Sequence, residues 1–273
     1  MKTIRHLTIP AALSFSLVAT ASGADNVLGH LDDWLTVSIF HGAVQARVSG
    51  LLDLEGYYLQ QPPPGLIQSD HNFLLNPRLT VNLDAQIGPH VYLFVETRVD
   101  RGFDPHDAGP QTRLDQYAIS YKPWPDAGWR IQVGKFATVV GNWAQRYDSW
   151  SNPFVNAPLP YENVTPIYDR EVPVSRDDFL KERFDTEENY ARVPIIWGPN
   201  YTSGAAIFGQ IGKFDLAVEV KNGSLSSRPE VWDGTEQGWQ HPTWSGRFGW
   251  TPNMMWNLGF SASIGPFLRE GVP

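Results

Sequence analysis

Charged side chains at alternate positions are the residues of this sequence best placed to act chemically. Side chains two positions apart on a β-strand share a face, so such charges would line one side of a sheet together. Where such a face borders a water-filled passage, its fixed charges select ions and polar solutes electrostatically. The candidate residues for this predicted pore-lining face are Arg47, Asp53, Glu55, Arg78, Asp84, Glu96, Arg98, Asp100, Arg130, Asp215, Glu219, Lys221 and Arg247. Positive and negative charges nearly balance in this set, which therefore indicates no single ion preference.

Motifs for catalysis and for a resident cofactor are absent from the sequence. It contains no HExxH, GxSxG or GxGxxG motif and no Walker loop. The absence of cysteine excludes thiol chemistry and cysteine-ligated metals. Asp104, His106 and Asp107 carry groups that bind metals, but their setting favours a solvated polar loop. The sequence therefore predicts a protein that is not an enzyme and has no metal or cofactor.

A second group of charges lies in the longest segment between predicted strands, residues 137–200. Ser175 and Asp178 have the spacing of an N-cap and the third helical residue, which predicts a short helix. A connection of this length without a role is unusual. The charges on and next to this helix are of mixed sign: Asp177, Asp178, Lys181, Glu182 and Arg183.

Strict alternation of apolar and polar residues predicts the elements that position these charges. The pattern is clearest in residues 78–101, which read RLTVNLDAQIGPHVYLFVETRVDR and form two strands around a Gly-Pro-His break. The same period predicts nine strands: 43–59, 73–87, 91–100, 113–122, 129–136, 201–211, 214–221, 243–251 and 256–263. Residues 25–42 fit either a short amphipathic helix, because apolar residues from Val27 to Leu35 recur at helical spacing, or an ordered linker. Alternatively, residues 35–40 begin a strand, with a bulge at His41-Gly42.

Two all-β folds share this alternation and differ in what the apolar face contacts. In a soluble sandwich the apolar face packs on a protein core, whereas in a transmembrane barrel it meets lipid and the polar face lines the lumen. The predicted connections alternate between long and short along the chain, with short turns at 88–90, 123–128, 212–213 and 252–255. Membrane barrels have short periplasmic turns and long extracellular loops, whereas a sandwich has no reason to sort its loops. We therefore predict an antiparallel transmembrane β-barrel.

Aromatic residues near the predicted strand ends agree with this fold. Rings at both ends of an apolar band form the girdle expected at the two membrane interfaces. The predicted girdle residues are Tyr58, Tyr121, Trp129, Phe214, Trp244, Trp250 and Trp256. Core aromatics of a sandwich would instead lie in the middle of strands.

The N-terminus has the features of a secretory signal. Lys2 and Arg5 precede a short apolar run that ends in small residues, which predicts a signal peptide over residues 1–24. We assign residues 25–42 to an N-terminal periplasmic segment and residues 43–273 to the barrel. No apolar run is long enough for a spanning helix. The formal net charge of −8 makes nucleic acid an unsuitable partner.

These features together resemble Gram-negative outer-membrane porins. Residues 131–143, IQVGKFATVVGNW, are similar to the strand-then-loop GKF…G segment of phosphate-selective and carbohydrate-selective types, and the overall pattern covers residues 43–264. The resemblance implies a bacterial outer-membrane channel for passive diffusion of small hydrophilic solutes, surrounded by outer-membrane lipid and often a homotrimer. It also implies that the third long loop, 137–200, folds into the lumen as a constriction. A surface loop that contacts a neighbouring subunit is the open alternative.

The sequence departs from that family in strand number and in its C-terminal residues. Porins with an aqueous channel have about 16–18 strands and end in a terminal aromatic residue, whereas nine strands are predicted here and the sequence stops at Pro273. Bacterial single-chain barrels also have even strand counts. We therefore expect an incomplete barrel, in a fragment that lacks C-terminal strands. The alternatives are a secreted carbohydrate-binding β-sandwich and an outer-membrane barrel adhesin or enzyme.

Overall fold

The chain is an all-β protein built mainly from one antiparallel sheet. The computed structural model describes residues 34–58, 60, 72–100, 110–143, 152, 158–162, 164–168, 173–182, 192–226, 228 and 239–268. The strands are β1 (Thr36–Ile39), β2 (Val44–Tyr58), β3 (Phe73–Ile87), β4 (Val91–Asp100), β5 (Gln111–Tyr121), β6 (Arg130–Phe136), β7 (Val164–Tyr168), β8 (Arg192–Pro194), β9 (Thr202–Ile211), β10 (Phe214–Asn222), β11 (Thr243–Asn253) and β12 (Trp256–Ile264). Two short helices, α1 (Leu159–Glu162) and α2 (Arg176–Glu182), lie between β6 and β8. None of the described helices is long and apolar enough to cross a membrane.

Ten strands form the main sheet in the order β1-β2-β3-β4-β5-β6-β9-β10-β11-β12, and β7 pairs with β8 outside it. All nine predicted strands are present, and the additional one is β1, which pairs with β2. The expectation of a bulge at His41-Gly42 is wrong. Both residues have positive φ angles, 57° and 88°, and they form the tight turn between β1 and β2. Thr36–Ile39, within the predicted periplasmic segment, therefore belong to the sheet.

Connections between neighbouring strands of the main sheet alternate between short and long. Short turns join β1 to β2, β3 to β4, β5 to β6, β9 to β10 and β11 to β12, and longer segments join the remaining pairs. Because consecutive antiparallel strands are neighbours, all short turns lie at one end of the sheet and all long connections at the other. β1 and β12 are the two edges, and no pairing between them occurs among the described residues, so the sheet is open there.

A β-bulge in β5 brings two unpredicted charges onto the polar side of the sheet. Glu96 pairs with Gln116 and Thr97 pairs with Leu114, so Asp115 is the extra residue. The bulge puts Asp115 and Arg113 beside the charged residues of β4. The signal for it in the sequence is that Leu114 and Tyr117, both on the apolar side, are three residues apart rather than two.

The apolar face of the sheet is exposed and the polar face is buried, which is the reverse of the arrangement in a soluble β-protein. On the apolar face, Leu54 is 73% exposed and Phe260 is 69% exposed. On the opposite face, Arg98 and Glu219 are each 1% exposed. Several buried apolar side chains instead come from the long connection between β6 and β9, namely Val139, Val140, Tyr161, Tyr168, Val193, Trp197 and Tyr201. Apolar burial therefore stabilises this connection, and the apolar face of the sheet lacks a protein partner among the described residues.

Candidate functional site

The strand register places all of the predicted pore-lining charges on one face of the main sheet, here called the polar face. Cross-strand partners include Arg47 with Asp84 and Asp53 with Arg78. This placement follows from strict alternation, since each of these charges lies at a position of the same parity within its strand. Their shared face is a finding of the structure, and their contact with a pore remains a prediction.

A network of ion pairs joins β4 to β5 on the polar face, at the end of these strands that carries the long connections. The Arg98 guanidinium lies 2.8 Å from Glu96 and 3.4 Å from Asp115. Arg113 lies 2.6 Å from Asp100 and 3.3 Å from Asp115. Because these side chains are largely buried, each charge needs its partners, and removing one would leave another uncompensated.

A second network joins β2 to β3 at the end of the sheet that carries the long connections. Arg78 lies 2.6 Å from Glu55 and 3.3 Å from Asp53, so one guanidinium bridges two carboxylates. Nearer the short turns, the Tyr92 hydroxyl donates a hydrogen bond to Asp84. Charges of both signs are thus paired on the part of the polar face that β2 to β5 form.

Glu219 of β10 anchors the start of the long connection to the polar face. Its carboxylate accepts hydrogen bonds from the Thr138 hydroxyl at 2.6 Å and from the Val139 backbone N–H at 3.1 Å. These residues follow directly after β6, and β9 separates β6 from β10. Ala206 of β9 lies opposite Glu219 in the register, and its small side chain leaves room for the carboxylate to reach across.

Lys221, two residues along β10, anchors both ends of the same connection. Its ammonium group donates hydrogen bonds to the carbonyl oxygens of Phe136 and Asn200. A Cβ atom on Gly204 would overlap the Lys221 side chain, so the absence of a side chain there makes this path possible. The ammonium also lies 3.9 Å from the Glu219 carboxylate, which provides the nearby negative charge.

Residues 137–143, here called the crossing segment, run from the end of β6 across the polar face to β12. The Gly141 N–H donates a hydrogen bond to the Ser261 hydroxyl of β12 at 3.0 Å. Gly141 has a φ of +74°, and a Cβ atom there would overlap the Tyr161 hydroxyl. The Tyr161 ring packs against Trp143 at a centroid distance of 4.5 Å, and burial raises the pKa of Tyr161. These two aromatic residues therefore pack within the loop.

The predicted constriction charges lie on a different part of the long connection. Ser175 caps α2 as expected, because its hydroxyl accepts from the Asp178 N–H at 3.2 Å and donates to the Asp178 carboxylate at 2.7 Å. Asp177, Asp178 and Lys181 are described, whereas the Glu182 side chain and Arg183 lie outside the described residues. No hydrogen bond or ion pair between described residues joins α2 to the polar face. The structure therefore brings the crossing segment, and not this helix, against the charges of the sheet.

A pocket of about 460 Å³ opens between the crossing segment and the polar face. Its walls combine charge with aromatic rings. The Arg130 guanidinium lies 4.2 Å from the centre of the Phe208 ring, and the rings of Tyr92 and Phe94 stack at 6.1 Å. Such a mixture of apolar walls and a few polar groups is typical of sites for small molecules.

The predicted girdle aromatics lie on the apolar face, near both ends of the sheet. Phe214 and Trp250 are cross-strand partners beside short turns, and both are exposed. The Trp129 ring covers Gly209, where a Cβ atom would overlap it. The remaining predicted girdle residues are also exposed: Tyr58, Tyr121, Trp244 and Trp256.

No group of three metal-binding side chains occurs among the described residues. The sequence candidate formed by Asp104, His106 and Asp107 lies outside the described part of the chain. Comparison of the chain with protein-family models, curated proteins and solved structures gives no match. The geometry of the sheet and its loops therefore provides the indications of function.

Proposed function

We propose that this chain forms an outer-membrane channel through which small hydrophilic solutes diffuse passively. The observation that carries this proposal is the inverted burial of the sheet. Leu52, Leu54, Phe260 and their neighbours expose an apolar face, while charged residues fill the other. Exposed apolar surface costs about 25 cal/mol per Å² in water, and this cost disappears when the surface contacts lipid. A lipid-facing apolar band with aromatic ends is therefore the environment in which this sheet is stable.

The polar face is suited to border an aqueous passage. Its ion pairs use both signs of charge, as in the clusters around Arg78 and Arg98. Groups of this kind replace part of the hydration of a polar solute, whereas an apolar wall would exclude it. The near balance of charge favours solutes selected by size and polarity over ions of one sign.

The crossing segment is suited to narrow such a passage. It leaves the sheet at β6, and hydrogen bonds hold it to Glu219 of β10 and Ser261 of β12. Because the segment begins at β6 and is hydrogen-bonded to β10 and β12, it lies over the polar face and not above its rim. We place the constriction at residues 137–143, which modifies the earlier expectation that the charges of α2 form it.

A carbohydrate-binding β-sandwich fits the same strands less well than a membrane channel does. A sandwich requires a second layer packed on the apolar face of the sheet. The described residues provide no such layer, and the only other sheet among them is the pair of β7 and β8. A closed barrel, in turn, requires hydrogen-bond partners for the outer edges of β1 and β12. Outer-membrane location and assembly into a homotrimer are parts of the proposal that follow from the resemblance.

The proposal is tested by expressing the chain in a Gram-negative host and measuring the single-channel conductance of the purified protein in planar bilayers. We expect the protein in the outer-membrane fraction, soluble only with detergent, and stepwise increases in current. Deletion of residues 137–199, which removes the crossing segment together with the rest of the long connection, is expected to increase the conductance of each step. A protein that is soluble in the periplasm and produces no current would refute the channel.

A further inference from the structure

Two arginines that flank the pocket lie in one row across four neighbouring strands. Arg130 of β6 pairs with Phe208 of β9, Phe208 with Ala217 of β10, and Ala217 with Arg247 of β11. The row spans three strand spacings, about 14 Å between the outer Cα atoms. Ala217 is small, and the Arg130 guanidinium extends over the Phe208 ring at 4.2 Å. The two guanidinium groups therefore approach the same space from opposite sides, and both line the pocket.

These arginines differ from Arg78, Arg98 and Arg113 in contacting fewer carboxylates. Arg247 donates one N–H to Asp215 at 2.8 Å, while its Nε and Nη1 atoms are buried without a protein partner. Arg130 contacts the Phe208 ring and has no carboxylate within ion-pair distance among the described residues. By contrast, Arg78 and Arg113 each contact two carboxylates. Buried donors without acceptors are costly, so Arg247 is suited to a ligand that supplies acceptors. Arg130 is exposed, so its guanidinium is accessible to the same ligand.

We propose that this pocket binds the carboxylate of a small organic acid with an aromatic or apolar body. This inference rests on the proposed function, because it assigns a substrate class to a site inside the proposed passage. Guanidinium groups match the planar geometry of a carboxylate and form charge-assisted hydrogen bonds with it. Stacked Tyr92 and Phe94, together with Phe208, provide a wall for the body of the acid.

The surroundings favour a monoanion over inorganic phosphate. Asp84 lines the pocket and Asp215 contacts Arg247, so two carboxylates lie close to the bound ligand. Repulsion from these groups is greater for a dianion than for a monoanion. Phosphate also has no apolar part to pack against the rings. The volume of about 460 Å³ is sufficient for a single-ring acid.

Calorimetric titration of the full chain in detergent with benzoate tests this site. Benzamide, its neutral analogue, and inorganic phosphate are titrated in parallel. We expect saturable binding of benzoate, weaker binding of phosphate and no binding of benzamide. Arg130→Gln should weaken benzoate binding at least about tenfold, as expected for a lost charge-assisted hydrogen bond. Arg176→Gln, the same change on the exposed surface of α2, should bind benzoate like the wild type.

Arg247→Lys provides a second variant that keeps the positive charge beside Asp215 and removes the two unpaired donors. It should also weaken benzoate binding about tenfold without altering the circular dichroism spectrum. Three results would each overturn the proposal: equal binding of benzoate and benzamide, binding of phosphate that is tighter than that of benzoate, or benzoate binding by folded Arg130→Gln that equals that of the wild type. The titration needs no ion current. Benzoate binding by a protein that forms no channel would therefore refute the channel alone, whereas a conducting protein that does not bind benzoate would refute this site alone.

Discussion

The anchor formed by Glu219 offers the sharpest test of how the crossing segment is held. Substituting Glu219 by alanine removes the acceptor for the Thr138 hydroxyl and the Val139 N–H. It also removes the carboxylate that lies 3.9 Å from the Lys221 ammonium. Both charged side chains are almost completely buried, with exposures of 1% and 2%. Water therefore cannot readily replace the lost carboxylate.

The expected magnitude follows from this burial. Removing one partner of a buried ion pair costs about 3–5 kcal/mol, because the other charge remains without compensation. The orphaned Thr138 and Val139 donors contribute to the same loss and are not added separately, since they belong to one network. The double variant Glu219→Ala, Lys221→Met removes both charges. It should cost less than the sum of the two single variants, with a coupling of about 1–3 kcal/mol.

Urea-induced unfolding of the protein in detergent micelles, followed by tryptophan fluorescence, measures these costs. Asp177→Ala is the control, because it removes the same charge from an exposed site on α2 and should change the unfolding free energy by less than about 0.5 kcal/mol. In planar bilayers, Glu219→Ala should also increase the fluctuation of the current, since the crossing segment loses an anchor. A Glu219→Ala variant as stable as the control would refute the argument that this contact holds the loop.

Three further predictions concern the faces of the sheet and the crossing segment. Val81→Arg, on the apolar face, should cost about 2–4 kcal/mol if that site lies at the bilayer midplane, whereas Asn82→Arg on the polar face should be tolerated. Gel electrophoresis distinguishes the two variants by the fraction of protein that stays folded on heating. An equal loss of folded protein in both variants would contradict a lipid-facing apolar side. Gly141→Ala should destabilise the crossing segment by about 1–2 kcal/mol, because its φ of +74° disfavours a side chain. Hydrogen exchange of the loop amides measures this effect, with Gly56→Ala, which meets no atom within 4 Å, as the unaffected control. Arg98→Met should lose about 3–5 kcal/mol in urea unfolding, since it removes the buried positive charge that lies beside the Glu96 and Asp115 carboxylates, and a loss below 1 kcal/mol would show that other groups compensate them.

Most of the main sheet was predictable from the sequence because alternation is a local property. Side chains two residues apart share a face in any strand, so residues 78–101 alone define two strands and the turn between them. The common face of the predicted charges follows from the same rule. The pairs of strands joined by short turns follow as well, because such turns allow only antiparallel neighbours. The pairs joined by long connections, such as β6 with β9, do not follow from this rule. β1 was ambiguous since it is only four residues long and ends in an unusual turn with positive φ angles.

The β5 bulge shows where local periodicity alone is insufficient. A single extra residue, Asp115, changes which side chains of β5 lie beside those of β4. The three-residue interval between Leu114 and Tyr117 indicates the bulge, but the regular alternation that follows it predicts an uninterrupted strand. The network around Arg98 therefore contains two charges, Arg113 and Asp115, that were not among the predicted residues.

The tertiary structure decided which parts of the long connection meet the sheet. Thr138 and Glu219 are 81 residues apart, and no periodic pattern relates residues at that distance. Their contact depends on small residues of β9 that let side chains of β10 reach across, and on Gly141, which allows the turn toward Ser261. The pairing of Arg130 and Arg247 across one pocket likewise arises only when β6, β9, β10 and β11 are in register. The sequence determined the two chemically different faces of each strand, because side-chain direction alternates along any strand. The pairing of distant segments determined which charges are compensated and which keep free donors, since compensation depends on distances in the folded chain.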